Sequence, residues 1–315
     1  MKCMIKFVTI SARHSSMVPT KQYQVNQYLP YFALAAGILA LSFSAMFVRW
    51  AEAPGPITGF YRVFLSSLLL TPFFIHNCWE NCKINKSNII FPVIGGLFTA
   101  GDFALWNTSV NYTTAANATL LGNTAPLWVA LGAWLLFRER LSARFWLGLG
   151  FALAGATLIL GTDFLVHPRL GIGDLMAIGT GIFYAGYMLV TQRSRQHFNP
   201  LTHLWLMSVS ASFGLLMINL ALGNHITGYS HQTWLVFFAA AIVSQIAGYM
   251  SLAYALGHLP ASIVSPTMIG QPIMTAILAI PLLGEIPTFL QFIGGAIALV
   301  GIYIINQTHR KSNRT

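Results

Sequence analysis

Two side chains stand where a hydrocarbon interior tolerates little charge. Arg62 in GFYRVFLSSLLL and Asp102 in TAGDFALWN each lie inside a long apolar run. An ion placed there costs a few kcal/mol at least, so such residues pair, face water or bind an ionic solute. Arg62 is a permanent cation with a fork of donors, whereas Asp102 can hold or release a proton. They fall at similar depths in successive apolar segments, and the pair is expected to serve as a gate or a proton-coupling device. A structural lock is the plain alternative, as is snorkelling of Arg62 toward the headgroups.

A second set joins amides to prolines. Asn123 precedes Pro126 in LLGNTAPLW, and Gln271 adjoins Pro272 in MIGQPIM. Proline lacks the N–H that a helix needs, so Pro126 frees the carbonyl of Gly122, Pro272 that of Met268 and Pro266 that of Ser262. Freed carbonyls are tolerated where they line a wet cavity or meet a polar group. On the next segments Asp102, Trp106 and Ser109 recur at helical spacing, as do Gln245, Gly248 and Tyr249. Tyr184 and Tyr187 add aromatic surface. Asp102, Trp106, Asn123, Pro126, Gln245, Tyr249, Gln271 and Pro272 are therefore the expected lining of a solute cavity. Packing and interfacial anchoring are the plain readings of the same aromatics, and kinking that of the prolines.

Other candidates lead nowhere catalytic. Glu139 and Glu285 end segments on opposite membrane faces, which makes them turn residues rather than a carboxylate pair. His76, Cys78 and Cys82 lack the second ligand pair of a metal centre, and Cys3, Cys78 and Cys82 form no disulfide framework. The chain has no HExxH, G-x-S-x-G or P-loop motif, so neither an enzyme nor a cofactor is expected.

The elements that must position these residues follow from composition. Of 315 residues 56% are hydrophobic and only 8% charged, against roughly a quarter charged in a soluble domain. Uncharged runs reach the roughly 20 residues that cross a bilayer. Ten segments are read, at about 30–50, 57–76, 89–110, 114–137, 143–162, 173–192, 201–222, 232–255, 260–283 and 288–307. The fold class is an all-α polytopic membrane protein with ten transmembrane helices. Placing the N-terminus inside puts fourteen of the 17 Lys and Arg residues on the cytoplasmic side. Both termini are then cytoplasmic. The net charge of +10 belongs to these short loops, so nucleic acid is not an expected partner.

One segment occurs twice. Between Ala115–Ile159 and Ala261–Ile305, 11 of 45 positions are identical, where chance gives about 4 or 5. Pro126 matches Pro272, Glu139 matches Glu285, Gly148 matches Gly294 and Gly155 matches Gly301. The copies begin on the fourth and ninth spans, an odd offset, so the second is inverted. The chain divides into a tail at 1–29, a first five-helix repeat at 30–162, an external linker at 163–172, a second repeat at 173–307 and a basic tail at 308–315. Inverted repeats with broken helices place solute and coupling-ion sites near the midplane. The glycines are read as points of close helix approach.

With Arg62 in FYRVFLSSLLL, the stretches ALWNTSVNYTTAANATLLGNTAP and FRERLSARFWLGLGFALAGATLIL, and the echo GQPIMTAILAIPLLGEIPTFLQFIGGAIALVGIYI, the chain resembles the EamA-type transporters of the drug/metabolite transporter superfamily. The resemblance covers nearly everything from residue 30. It implies a ten-helix inverted-repeat transporter of the cytoplasmic membrane, without an organic cofactor, often moving amino acids or related metabolites outward. One departure is ALSFSAMFVRW, where Ser42 and Ser44 stand in a span that is often aromatic-rich in the family. The expected function is secondary transport by alternating access, exporting or exchanging a small metabolite. An importer on the same fold and a membrane-embedded receptor or scaffold are the alternatives. The partners expected are a small-molecule substrate and the lipid bilayer; a homodimer is left open.

Overall fold

A computed structural model describes residues 28–81, 86–109, 112, 121–160, 171–283 and 288–312. Among them ten helices follow one another: α1 (Leu29–Ser42 and Ser44–Trp50), α2 (Gly55–Asn81), α3 (Ile90–Ser109), α4 (Ala125–Phe137), α5 (Ala143–Leu160), α6 (Ile172–Ser194), α7 (Pro200–Ala221), α8 (His231–Leu256), α9 (Ala261–Thr267 and Gly270–Leu283) and α10 (Phe289–Ser312). Seven are long and apolar enough to cross a membrane, and the apolar stretches in α3, α4 and α5 are shorter. Glu285 and the cysteines Cys3 and Cys82 lie outside the described residues. Among the described residues no group of three metal-ligating side chains occurs.

Local chemistry sets the helix starts. Pro200 sits at the first turn of α7, where its missing N–H is not needed, and Asn199 accepts from the Thr202 N–H at 2.8 Å. Ser230 caps α8 by accepting from Thr233 N–H at 3.2 Å, and the Asp174 carboxylate accepts from Gly171 N–H at 2.8 Å ahead of α6. Each satisfies an N–H that the first helical turn leaves open.

Packing follows the inverted repeat. Helix α3 packs on α6 as α8 packs on α1, α3 on α7 as α8 on α2, and α4 on α6 as α9 on α1. The pairs α2–α7, α4–α9 and α5–α10 map onto themselves. That pattern is what a pseudo-two-fold relating helix n to helix n+5 requires, and the protein is two inverted five-helix repeats. One end of the bundle holds the start of α1 and the end of α10; it is called the terminal face here, and the other the far face.

The α5–α10 seam is the closest approach. A Cβ on Gly155 would lie 2.4 Å from Ala298 N and 2.5 Å from Gly294 O; a Cβ on Gly301 would lie 2.4 Å from Ala152 N and 2.5 Å from Gly148 O. Backbone meets backbone with no room for a methyl, as small residues at seven-residue spacing allow in membranes. Toward the terminal face, Arg195 ties the end of α6 to α8 by donating from Nε to Ala253 O at 2.9 Å, and its Nη1 donates to Phe198 O in the α6–α7 connection. Burial lowers its pKa to about 10, so it remains a cation at neutral pH.

Candidate functional site

Arg62 is buried and turned into the bundle rather than toward the headgroups. Its Nε donates to Gln245 Oε1 at 3.0 Å and its Nη1 to Ser44 Oγ at 3.2 Å. The guanidinium carbon stands 4.7 Å from the Phe103 ring centroid and 5.2 Å from that of Tyr249. Two ring faces and two fixed acceptors thus hold one cation in place, each contact strengthened by the low surrounding dielectric.

Two backbone irregularities make this arrangement. Helix α1 is interrupted at Phe43, which separates Ser42 from Ser44. In α8 the segment Ala240–Tyr249 is π-helical; the wider turn changes which residues share a face, and such segments gather at functional sites. Gln245 and Tyr249 both lie in it and both reach Arg62.

Asp102 precedes Phe103 on α3 and is 8% exposed, close to the 9% of Arg62. Among the described residues its carboxylate has no hydrogen bond or ion-pair contact, and it acts on Arg62 through space. The two charges share one region without closing on each other. Tyr184, Tyr187 and Tyr249 continue it: centroids are 5.9 Å apart for Tyr184–Tyr187 and 5.3 Å for Tyr187–Tyr249. Among the described residues the buried Tyr187 hydroxyl and Thr191 Oγ1, one turn apart on α6, have no hydrogen-bond partner. Among the same residues Gln245 Nε2 and Thr180 Oγ1 are likewise buried without a hydrogen-bond partner. Such groups are costly unless water or a solute meets them.

The two helix breaks fall at matching positions. Ahead of α4 the chain turns at Asn123 and Thr124, and Pro126 lies in the first helical turn. In α9 the helix stops at Thr267 and resumes at Gly270, just before Gln271 and Pro272. Gly181 of α6 sits against the first break, where a Cβ would lie 2.9 Å from Thr124 Oγ1 and 3.2 Å from Gly122 O. Trp106 borders it too, its Cδ1 lying 3.7 Å from where a Cβ on Gly122 would be. The second break is laced to the interruption in α1: Gln271 Nε2 donates to Leu41 O at 3.2 Å and Thr275 Oγ1 to Ser42 O at 3.1 Å.

The expected residues therefore fall into three groups. Arg62, Asp102, Gln245 and Tyr249 meet in one cluster; Trp106, Asn123 and Pro126 gather at the α4 break; Gln271 and Pro272 adjoin α1. Sequence reasoning passed over Phe103 and Gly181, and treated Ser44 only as a departure from pattern. Phe103 could have been found as the neighbour of Asp102, whereas a lone glycine or serine carries no signal of its own. Glu139, read as a turn residue, also accepts from Ser262 Oγ at 2.6 Å. That bond joins the end of α4 to the start of α9 at the terminal face.

The EamA-like transporter family matches residues 28–161 and 171–307, one match per repeat. An uncharacterized transporter of Archaeoglobus fulgidus is 28% identical over 255 residues, covering 78% of this chain and 85% of that protein. A riboflavin transporter of Vibrio cholerae is 26% identical over 196 residues, covering 61% and 62%. A solved crystal structure aligns with a TM-score of 0.75 at 16% identity, covering 90% of this chain and 98% of the other; the likeness is one of fold.

Proposed function

Because the chain belongs to the EamA-like transporter family, we propose that it is a secondary active transporter of the cytoplasmic membrane, exporting or exchanging small metabolites such as amino acids by alternating access. The observation that carries this reading is the Arg62–Asp102 region: a cation held by Gln245, Ser44 and two rings, and an acid beside it with no hydrogen-bond or ion-pair partner among the described residues. A zwitterion complements it, its carboxylate meeting the guanidinium and its ammonium group meeting Asp102. Without solute, Asp102 would take a proton, which couples flux to a proton gradient.

The helix breaks supply the moving parts. Asn123, Pro126, Gln271 and Pro272 would line the path where α4 and α9 are interrupted, and the two repeats would rock about it. The Glu139–Ser262 bond supports a conformation closed at the terminal face. The excess of Lys and Arg on that face argues that it is cytoplasmic.

A second reading has its own support. The ladder of Tyr184, Tyr187 and Tyr249 offers surface to a flat aromatic solute, and one relative is a riboflavin transporter.

Counterflow in proteoliposomes with labelled amino acids and with riboflavin tests both. Arg62→Gln is expected to reduce amino acid flux roughly 100-fold, the effect of truncating one partner of a buried charge contact. Asp102→Asn is expected to change the pH dependence of flux; an unaltered rate and profile would reduce Asp102 to a structural role. Riboflavin flux without amino acid flux would favour the second reading. No flux by folded protein would favour a receptor or scaffold.

A further inference from the structure

At the terminal face the end of α6 carries three polar side chains that reach three different helices. Gln192 Oε1 accepts from the Ala261 N–H of α9 at 2.7 Å, Ser194 Oγ and Nδ1 of the buried His203 of α7 are 2.8 Å apart, and Arg195 Nε donates to Ala253 O of α8 at 2.9 Å. The first and last of these bonds fall on either side of Gly257, His258, Leu259 and Pro260, which join α8 to α9. Each answers a need of the helix end it meets. Pro260 stands at the N-cap of α9 and makes no side-chain cap, so Gln192 supplies the acceptor that the first turn needs. Arg195 brings a cation to the C-terminus of α8, the negative end of the helix dipole.

Gly257 marks how closely the guanidinium is seated. Its φ of −81° is open to any residue, so the backbone does not call for glycine there. A Cβ would lie 2.8 Å from Arg195 Nη2 and 3.1 Å from Nε; the cation takes the place of a side chain. Past this turn, α9 divides between the repeats. Ala261 is bonded to α6 of its own repeat, and Ser262 to Glu139 at the end of α4 in the other. The helix then stops at Thr267 and resumes at Gly270, and beyond the break Gln271 and Thr275 donate to Leu41 O and Ser42 O of α1, in the first repeat. The missing N–H of Pro272 leaves the break less resistant to bending than a continuous helix.

We propose that Gln192 and Arg195 form a clamp that makes the α8–α9 turn and the first half of α9 move as one body with α6, so that the terminal face opens by parting α9 from α4 and bending α9 at Met268–Ile269. The second half of α9 stays with α1. Gln192 and Arg195 are positioning residues, acting on the Glu139–Ser262 gate through the turn they hold. This opening rests on the alternating access proposed above, whereas the clamp itself does not.

Nitroxide labels on introduced cysteines test this division of motion in the full-length protein, with Cys3, Cys78 and Cys82 replaced by serine. One pair, at the exposed Gln196 and His258, spans the clamp; a second, at the exposed Arg140 and His258, spans the gate. Pulsed electron paramagnetic resonance reads both distances. In Ser262→Ala the gate pair is expected to gain a longer distance while the clamp pair keeps the single narrow distance of the parent. Arg195→Gln withdraws the cation and should broaden the clamp distance. Gly257→Ala pushes the guanidinium off its seat and should do the same, and it decides the matter if Arg195→Gln fails to fold. Clamp and gate distances that lengthen together in Ser262→Ala would overturn the proposal, as would a clamp distance unmoved by Arg195→Gln and Gly257→Ala. A gate distance that stays single in Ser262→Ala would also overturn it, since the face then does not open by that parting. Absence of flux by a protein that shows the expected distances would set aside transport and leave the clamp standing, so the two failures are told apart.

Discussion

Adding one methyl at three glycines isolates what the α5–α10 seam contributes. Gly155→Ala, Gly301→Ala and Gly150→Ala each place the same group in a helix, and each gains about 0.8–1 kcal/mol of helix propensity. Their surroundings differ. A Cβ at Gly150 meets nothing within 4 Å, whereas at Gly155 and Gly301 it lies 2.4 and 2.5 Å from backbone atoms of the opposite helix. Relief needs the axes to separate by about 1 Å, and a gap of 0.5–1 Å forfeits a quarter to a half of each contact's dispersion energy. Overpacking of this kind costs about 1–3 kcal/mol, and backbone neighbours, which cannot rotate away, place it at the upper end. Gly155→Ala and Gly301→Ala should each fall about 2–3 kcal/mol below Gly150→Ala. At roughly 2 °C per kcal/mol for a chain of this size, that is a gap of about 4–6 °C in melting temperature. Because the two seam positions are related by the pseudo-two-fold, they should lose nearly equal amounts. Thermal unfolding in mild detergent measures this. Gly155→Ala melting with Gly150→Ala would refute the close approach, and a large difference between Gly155→Ala and Gly301→Ala would refute the symmetry of the seam.

Two further outcomes test the polar contacts. Gln245→Leu removes the acceptor of Arg62 Nε and should lower flux roughly 10- to 100-fold, since a hydrogen bond to a charged group is worth about 1.5–3 kcal/mol; counterflow at wild-type rates would free the cation from this support. Ser262→Ala removes the donor to Glu139 and should raise thiol labelling from the terminal face of a cysteine placed at Ala130, which is buried where α4 meets α9. Labelling as slow as in the parent would separate that bond from closure.

The fold was legible because its causes are local or repetitive. Hydrophobic runs set the spans, and the 146-residue echo from Pro126 to Pro272 marked both the inversion and the paired breaks. Proline removes a donor wherever it stands, so the interruptions near Asn123 and Gln271 follow from residue type alone. The glycines at 148, 155, 294 and 301 signalled close approach for the same reason: absence of a side chain is a property of one residue. The region around Arg62 was legible only as a list of unusual side chains. Depth along a helix can be counted, but rotation about its axis cannot once the helix departs from 3.6 residues per turn.

Tertiary structure decided the rest. The interruption at Phe43 and the π-helical turn of α8 rotate Ser44, Gln245 and Tyr249 onto Arg62, leaving Asp102 without a hydrogen bond or ion pair among the described residues. Glu139 became more than a turn residue because α9 begins beside the end of α4, 123 positions later. By itself the sequence determined which segments enter the membrane, how they repeat and where they break, since burial and backbone donors are properties of each residue. Which of its few polar groups face one another depended on helix rotation and packing, which are properties of the assembled bundle.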